Sequence, residues 1–322
     1  MKNQRLHINR KATVFAPASV ANVACGFDIL GFAIEKPGDI VRAVISKNTG
    51  VRIVSIQGDE GVLPTDVLKN TAGVAALRTL EHIQTMYGEE FGVDIHIKKN
   101  MPSGSGLGSS AASAVAASVA INALFDNPIV AEDLVHFAMK GEAIASGAEH
   151  ADNVAPSLLG GITLIRGYHP LDIIRIHVPS DLIAVVVNPH VIVKTKEARA
   201  ILPKKISLHD AITQTGNIAG LIAGCMREDY GLIGRSLIDV IAEPHRARLI
   251  PCYDAMKTAA MQAGALGFNI SGSGPSVFAL TQSLSKAKAI ARAIVHTLKR
   301  EGVTSSTYIS PINTVGPKVQ IV

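Results

Sequence analysis

Tryptophan is absent from this 322-residue chain, and aromatic side chains make up only 4% of it. With 48% hydrophobic residues, its core has to be aliphatic. Cysteine is scarce too: Cys25, Cys225 and Cys252 lie far apart and form no C-x-x-C pair. A disulfide framework and a four-cysteine zinc site are thereby excluded, and free thiols suit a reducing cytoplasm. Dense basic runs with interleaved aromatics are missing, which argues against a nucleic-acid partner. The 31 Lys and Arg against 26 Asp and Glu leave only +5, which suits modest attraction of a small anion such as a nucleotide. Long apolar runs are missing as well. Residues 101–125 carry no charge, but their apolar helical part is shorter than the ~20 residues a bilayer needs. The polar start, MKNQRLHINRK, leads into no apolar segment, so neither a secretory leader nor a membrane partner is expected.

What is present is an alternation of short β-rich runs with helical ones. Segments 12–16, 41–45, 51–56 and 93–97 read as strands, and 69–87 as a helix with Ala75, Ala76, Leu80 and Ile83 on one face. A Gly/Ser loop over 101–110 feeds a small-residue helix, 111–124, apolar nearly all round and therefore buried. A helix over 130–146 stops at Gly147. The strand 160–165 closes a first domain, 1–167. The second domain, 168–322, carries strands at 173–178 and 184–187 and helices at 207–226, 230–240, 251–264 and 285–300. It also holds a glycine-interrupted strand at 269–279. The fold class is α+β in two parts.

The strongest local signal is the loop Pro102-Ser103-Gly104-Ser105-Gly106-Leu107-Gly108-Ser109-Ser110. Its glycines permit tight turns and close approach by a ligand, and Ser109 and Ser110 stand where a helix begins. A helix N-terminus with free N–H groups suits phosphate. The loop lacks the Lys of a Walker A sequence, and Ser109 fills the third glycine position of the dinucleotide fingerprint. A flexible turn before a core helix is the plain alternative. Next, Glu142, Ser146, His150, Asp152 and Asn153 fall within twelve residues, as a polar helix end with a solvated loop or as a ligand site. A carboxylate with a hydroxyl suits a hard cation such as Mg²⁺ better than zinc. Asn22 and Asp28 follow a strand among apolar neighbours, either to face a small polar ligand or as an Asx turn and a surface acid. Ser271, Gly272, Ser273 and Gly274 bind an anion or pack beneath the first loop. Arg199 and Arg246 lie in mixed polar contexts, either as surface arginines, the plainer reading of the residues alone, or as the natural two-point partners of a carboxylate.

Taken together, these segments resemble the GHMP family of small-molecule kinases. Residues 102–112 are similar to its P-x-x-x-G-L-G-S-S-A-A phosphate loop, and 269–276 to its C-terminal glycine motif. Segments 19–34, 145–161, 194–203 and 242–251 resemble those of the members that act on L-homoserine. The likeness runs from about residue 12 to 315.

The resemblance implies a two-domain fold, ribosomal-protein-S5-like then ferredoxin-like, with ATP and substrate between the halves. It implies phosphorylation of the L-homoserine side-chain hydroxyl to O-phospho-L-homoserine, on the route to threonine, by an enzyme that is commonly a homodimer. By motif position, Pro102 to Ser110 would bind ATP, with Gly104 to Ser110 around its triphosphate. Ser109 or Ser110 would hold Mg²⁺ with Glu142. Asn22, Asp28, His150, Arg199 and Arg246 would surround the amino acid, Asp28 meeting its ammonium and the arginines its carboxylate. Asn153 would sit near the attacking hydroxyl, with Glu142 and Arg199 also serving the transfer. Sugar and mevalonate kinases of the family have Asp where Asn153 falls. Asn cannot accept a proton as a carboxylate can, and a loose phosphoryl-transfer transition state needs little base help. Asp152 is the adjacent exception to test. One local departure is Val23-Ala24-Cys25-Gly26, where the family often has Leu-Gly-x-Gly. Two further readings stay open: a kinase of this family for another small alcohol, and a nucleotide-binding regulator without turnover.

Overall fold

The computed structural model describes residues 8–147 and 149–321, so part of the polar amino-terminal segment read for a leader lies outside the described residues. The chain opens with β1 (Lys11–Ala21), β2 (Leu30–Ser46) and β3 (Gly50–Gln57), then α1 (Thr71–Tyr87) and β4 (Gly92–Lys98). Three helices follow, α2 (Ser109–Leu124), α3 (Ala131–Ser146) and α4 (Val154–Leu159), then β5 (Ile162–Tyr168) and β6 (Leu171–Ile176). The remainder begins with β7 (Ile183–Pro189), α5 (Thr195–Ala200), α6 (Leu208–Arg227), α7 (Tyr230–Ser236), α8 (Glu243–Arg246) and α9 (Tyr253–Gln262). It ends with β8 (Gly267–Ile270), β9 (Val277–Thr281), α10 (Leu284–Arg300), β10 (Ser305–Pro311) and β11 (Lys318–Ile321).

Strands β11, β1, β2, β4 and β3 lie side by side, and β5 and β6 extend the same sheet from the far half of β2. The division expected after residue 167 therefore falls inside β5, one residue before its end, where β5 pairs with β6 in the same sheet, and β11 returns to that sheet from the other end of the chain. A second, antiparallel sheet runs β10, β7, β9, β8. Helix α2 packs on β1 and β2 while α1 and α3 cover it, so nearly every α2 residue is buried, as its uniformly apolar sequence requires. Helix α10 is amphipathic instead, burying Ala287, Ile290, Ala291, Ile294 and Leu298 at helical spacing against the second sheet. The Phe32 and Phe278 rings meet edge-on at 5.7 Å and join the two sheets. No helix among the described residues is long and apolar enough to cross a membrane.

Three elements differ from expectation for local reasons. Strand β2 starts eleven residues before 41, its length masked by the polar Glu35-Lys36-Pro37-Gly38-Asp39 stretch. Helix α7 stops at Ser236 rather than 240, because the Asp239 carboxylate accepts the N–H groups of Ile241, Ala242 and Glu243 and so starts α8. Helix α4, with Pro156 in its first turn, was not expected, and it aims the residues just before it at the site.

Candidate active site

The glycines of the loop before α2 earn their positions sterically. Gly104, Gly106 and Gly108 all take left-handed backbone, at φ of 68°, 77° and 66°. A Cβ on Gly106 would lie 2.6 Å from the Ser271 carbonyl oxygen. Ser271 Oγ donates to the Gly106 carbonyl at 2.6 Å and the Ser276 N–H to the Ser105 carbonyl at 3.2 Å. The second glycine segment thus packs directly against the first loop. Gly108 occupies the N-cap of α2 with no side-chain cap, so the helix's first N–H groups open on the loop. Ser105 Oγ is enclosed and has no hydrogen-bond partner among the described residues.

The two serines at the start of α2 part company. Ser109 Oγ donates inward to the Asp39 carboxylate at 3.1 Å. Lys99 pairs with that carboxylate and donates to the Ser109 carbonyl at 3.0 Å and to Ser113 Oγ at 2.6 Å. Ser110 hydrogen-bonds Glu142 on the cleft side. Burial pushes the Glu142 carboxyl up to about 7, against the pull of Ser110 and Lys99.

At the other end, four non-glycine residues of the turn after β1 take positive φ: Asn22, Val23, Ala24 and Asp28. Ala24, standing where the family often has glycine, keeps the left-handed turn at φ 60°. Asn22 Oδ1 accepts the Asp28 N–H at 3.0 Å, and its Nδ2 donates to the Gly272 carbonyl at 2.8 Å. Arg199 meets Asp28 through two bonds of 2.8 and 3.0 Å. Arg246 is buried, donates to the carbonyls of Ala198 and Gly272, and feels the like charge of Arg199. Burial first, then Arg199, lowers its pKa, so an anion between the two guanidinia would be welcome. Burial likewise lowers the pKa of His150, and its Nε2 has no hydrogen-bond partner among the described residues.

A cleft of about 400 Å³ brings these groups together. Asn22, Asp28, Ser103, Gly104, Ser105, Gly106, Gly108, Ser109, Ser110, Glu142, His150, Asn153, Arg199 and Arg246 all line it. Pro102 and Leu107 do not: Pro102 is exposed outside the wall, and Leu107 is buried in the core and offers only its carbonyl, to the Ser19 N–H. Asp152 also lines the cleft, with Asn153.

Several contributors escaped the sequence reading. Both arginines lie over the Phe27 ring, at 5.0 and 5.6 Å from its centroid. The Tyr168 hydroxyl donates to the Asp28 carbonyl and accepts the Ala151 N–H, tying two site segments together. Leu63, Pro64, Asn70 and Ile144 also line the cleft. Apart from Phe27, which lies within segment 19–34, none carries a local motif that announces it.

Known proteins resemble this chain along nearly all of its length. The family model described as GHMP kinases N terminal domain matches residues 74–161, and that described as GHMP kinases C terminal matches 221–300. A homoserine kinase of Chlorobaculum tepidum is 49% identical over 318 residues, covering 96% of this chain and 98% of that protein. The crystal structure of homoserine kinase from Cytophaga hutchinsonii superposes with a TM-score of 0.93 at 50% identity, covering 99% of each chain. L. major mevalonate kinase, solved with R-mevalonate, shares the fold at a TM-score of 0.65 but only 17% identity over 97% of each chain. With both domain models matched and half of its residues shared with full-length relatives, the chain belongs to the GHMP kinase family.

Proposed function

We propose that the chain transfers the γ-phosphoryl group of ATP to the side-chain hydroxyl of L-homoserine. The observation that carries the reading is one cleft lined both by an uncapped helix N-terminus with its glycine loop and by Asp28, Arg199 and Arg246. The first half suits a triphosphate and the second an amino-acid zwitterion. Relatives at 49% and 50% identity are homoserine kinases.

In this reading the loop from Ser103 to Ser110 cradles the phosphates, and the enclosed Ser105 hydroxyl gains a partner there. The nucleoside rests against Leu63, Pro64, Asn70 and Ile144. Ser110 and Glu142 form the oxygen donor set a hard divalent cation takes, whereas the Ser109 hydroxyl is committed to Asp39. Mg²⁺ held there would neutralise charge on the transferring phosphoryl group. Asp28 receives the substrate ammonium, Arg199 and Arg246 its carboxylate, and the neutral His150 a polar group between them. Asn153 stands beside the attacking hydroxyl. An amide is no proton acceptor, so alignment and charge neutralisation carry the rate. The three unpaired cysteines fit a reducing cytoplasm.

The test is an ADP-release assay with Mg·ATP over L-homoserine, L-serine, L-threonine, mevalonate, galactose and shikimate. Selective turnover of L-homoserine is expected. Turnover of mevalonate or galactose instead would discard the amino-acid pocket and keep only the kinase.

A further inference from the structure

Ser19, near the end of β1, is completely buried. Its Oγ donates to Asn153 Oδ1 at 2.8 Å, and its N–H donates to the Leu107 carbonyl at 3.1 Å. One residue therefore ties β1 both to the phosphate loop and to Asn153. Asn153 occupies the N-cap position of α4, where an Asn oxygen ordinarily accepts an N–H of the first turn. It makes no such bond, its oxygen being turned back to Ser19 instead. An amide has one accepting end and one donating end. With the oxygen committed inward, the NH₂ end is what Asn153 offers to the cleft it lines. Gly108 closes directly over this bond: a Cβ there would lie 2.2 Å from Ser19 Oγ and 2.7 Å from Asn153 Oδ1.

We propose that Ser19 is a positioning residue for the phosphoryl transfer, holding Asn153 so that its amide acts on the reacting centre as a hydrogen-bond donor and not as an acceptor. The inference rests on the reading of Asn153 as the group beside the attacking hydroxyl. In the step, the hydroxyl oxygen forms the new bond to phosphorus. The bridging oxygen leaves with its electron pair on ADP, and the hydroxyl proton goes to water. Residue 153 takes no proton. A donor fixed in advance stabilises the oxygens that carry charge in the transition state, and an amide free to rotate does so less well.

The test uses the full chain with Mg·ATP and L-homoserine. Ser19→Ala should lower kcat about tenfold, leaving both KM values within about twofold and the unfolding temperature near that of the parent. In an Asn153→Ala background the same change should have no further effect on kcat, because no amide remains to be held. Equal losses in both backgrounds, or no loss in the parent, would overturn the proposal. Asn153→Asp supplies a test that leaves Ser19 in place. Its carboxylate still accepts from Ser19 but turns an acceptor towards the phosphoryl oxygens, so kcat should drop by tenfold or more. Turnover at or above the parental rate would refute the donor assignment. If the reading of Asn153 itself is wrong, Asn153→Ala alone will leave kcat intact, a result distinct from the others, and the proposal falls with it.

Discussion

Asp28 and Arg199, 171 residues apart in sequence, face each other in the cleft as a two-point ion pair. In the proposed pocket Asp28 would hold the ammonium and Arg199 the carboxylate of an amino acid. A zwitterion can replace this pair charge for charge, whereas an uncharged alcohol leaves it closed. Asp28→Asn should therefore raise the KM for L-homoserine by tenfold or more, with the KM for ATP unchanged. Arg199→Lys should do nearly as much harm, because an ammonium cannot reproduce the two-point fork or its stacking on Phe27. Steady-state kinetics with each substrate varied separately checks both. A matching rise in the KM for ATP would move these residues out of the amino-acid pocket.

The Lys99–Asp39 pair lies beneath the loop, with both side chains buried and with Ser109 and Ser113 completing the network. Breaking one partner of such a pair strands the other charge away from water, at a cost of about 3–5 kcal/mol. Asp39→Ala should lower the urea unfolding free energy by roughly that amount. Asp39→Asn combined with Lys99→Met should lose less than Asp39→Asn alone, since no uncompensated charge remains. If the double variant is the weaker of those two, the network does not stabilise through charge pairing.

The sequence made the glycine loop before α2 legible because glycine and small-residue chemistry is local. The buried helix behind it was legible for the same reason, being apolar around its whole circumference. Asp28, Arg199 and Arg246 stood out singly by residue type, but only motif likeness grouped them, as no periodicity brings such distant positions together. Ser19, Phe27, Tyr168, Lys99 and Asp39 were missed because each acts through a contact that exists only once the chain has folded. The Ser19–Asn153 bond spans 134 residues, and Asp39 sits in a stretch that reads as a polar turn. Strand β11, four exposed residues long, gave no pattern at all, and only its pairing with β1 defines it.

Asp152 supplies a pH signature. Its buried carboxyl is pushed up to about 7, first by burial and then by the negative charges of Asp28 and Glu142. In the unfolded chain an Asp titrates near ~4. Between those values the native state binds the extra proton, so the stability this group contributes is complete at low pH and lost as pH rises to about 7. Asp152→Asn is neutral throughout. Its stability relative to the parent should rise from pH ~4 to ~7, by at most about 1.4 kcal/mol per pH unit, and level off above. Thermal unfolding of both proteins across this range checks it. A relative stability that falls with rising pH would show that Asp152 is charged in the native cleft.

The three loop glycines should not respond alike to alanine, although all have positive φ. At Gly104 a Cβ would meet only the Val193 carbonyl oxygen, at 3.8 Å, so Gly104→Ala bears little beyond the left-handed strain of about 1 kcal/mol. At Gly106 the Cβ would strike the backbone of the second glycine segment at 2.6 and 2.9 Å. Backbone cannot rotate away, so the two loops must separate, and Gly106→Ala should lose both stability and ATP binding. At Gly108 the Cβ would strike the Ser19 hydroxyl and the Asn153 amide, which are side chains able to move. Gly108→Ala should therefore fold and bind ATP better than Gly106→Ala while losing more kcat than Gly104→Ala. Nucleotide titrations, unfolding temperatures and kcat for the three variants test this order. Equal damage at Gly104 and Gly108 would mean that strain alone, and not the crowding of Ser19 and Asn153, governs the loop.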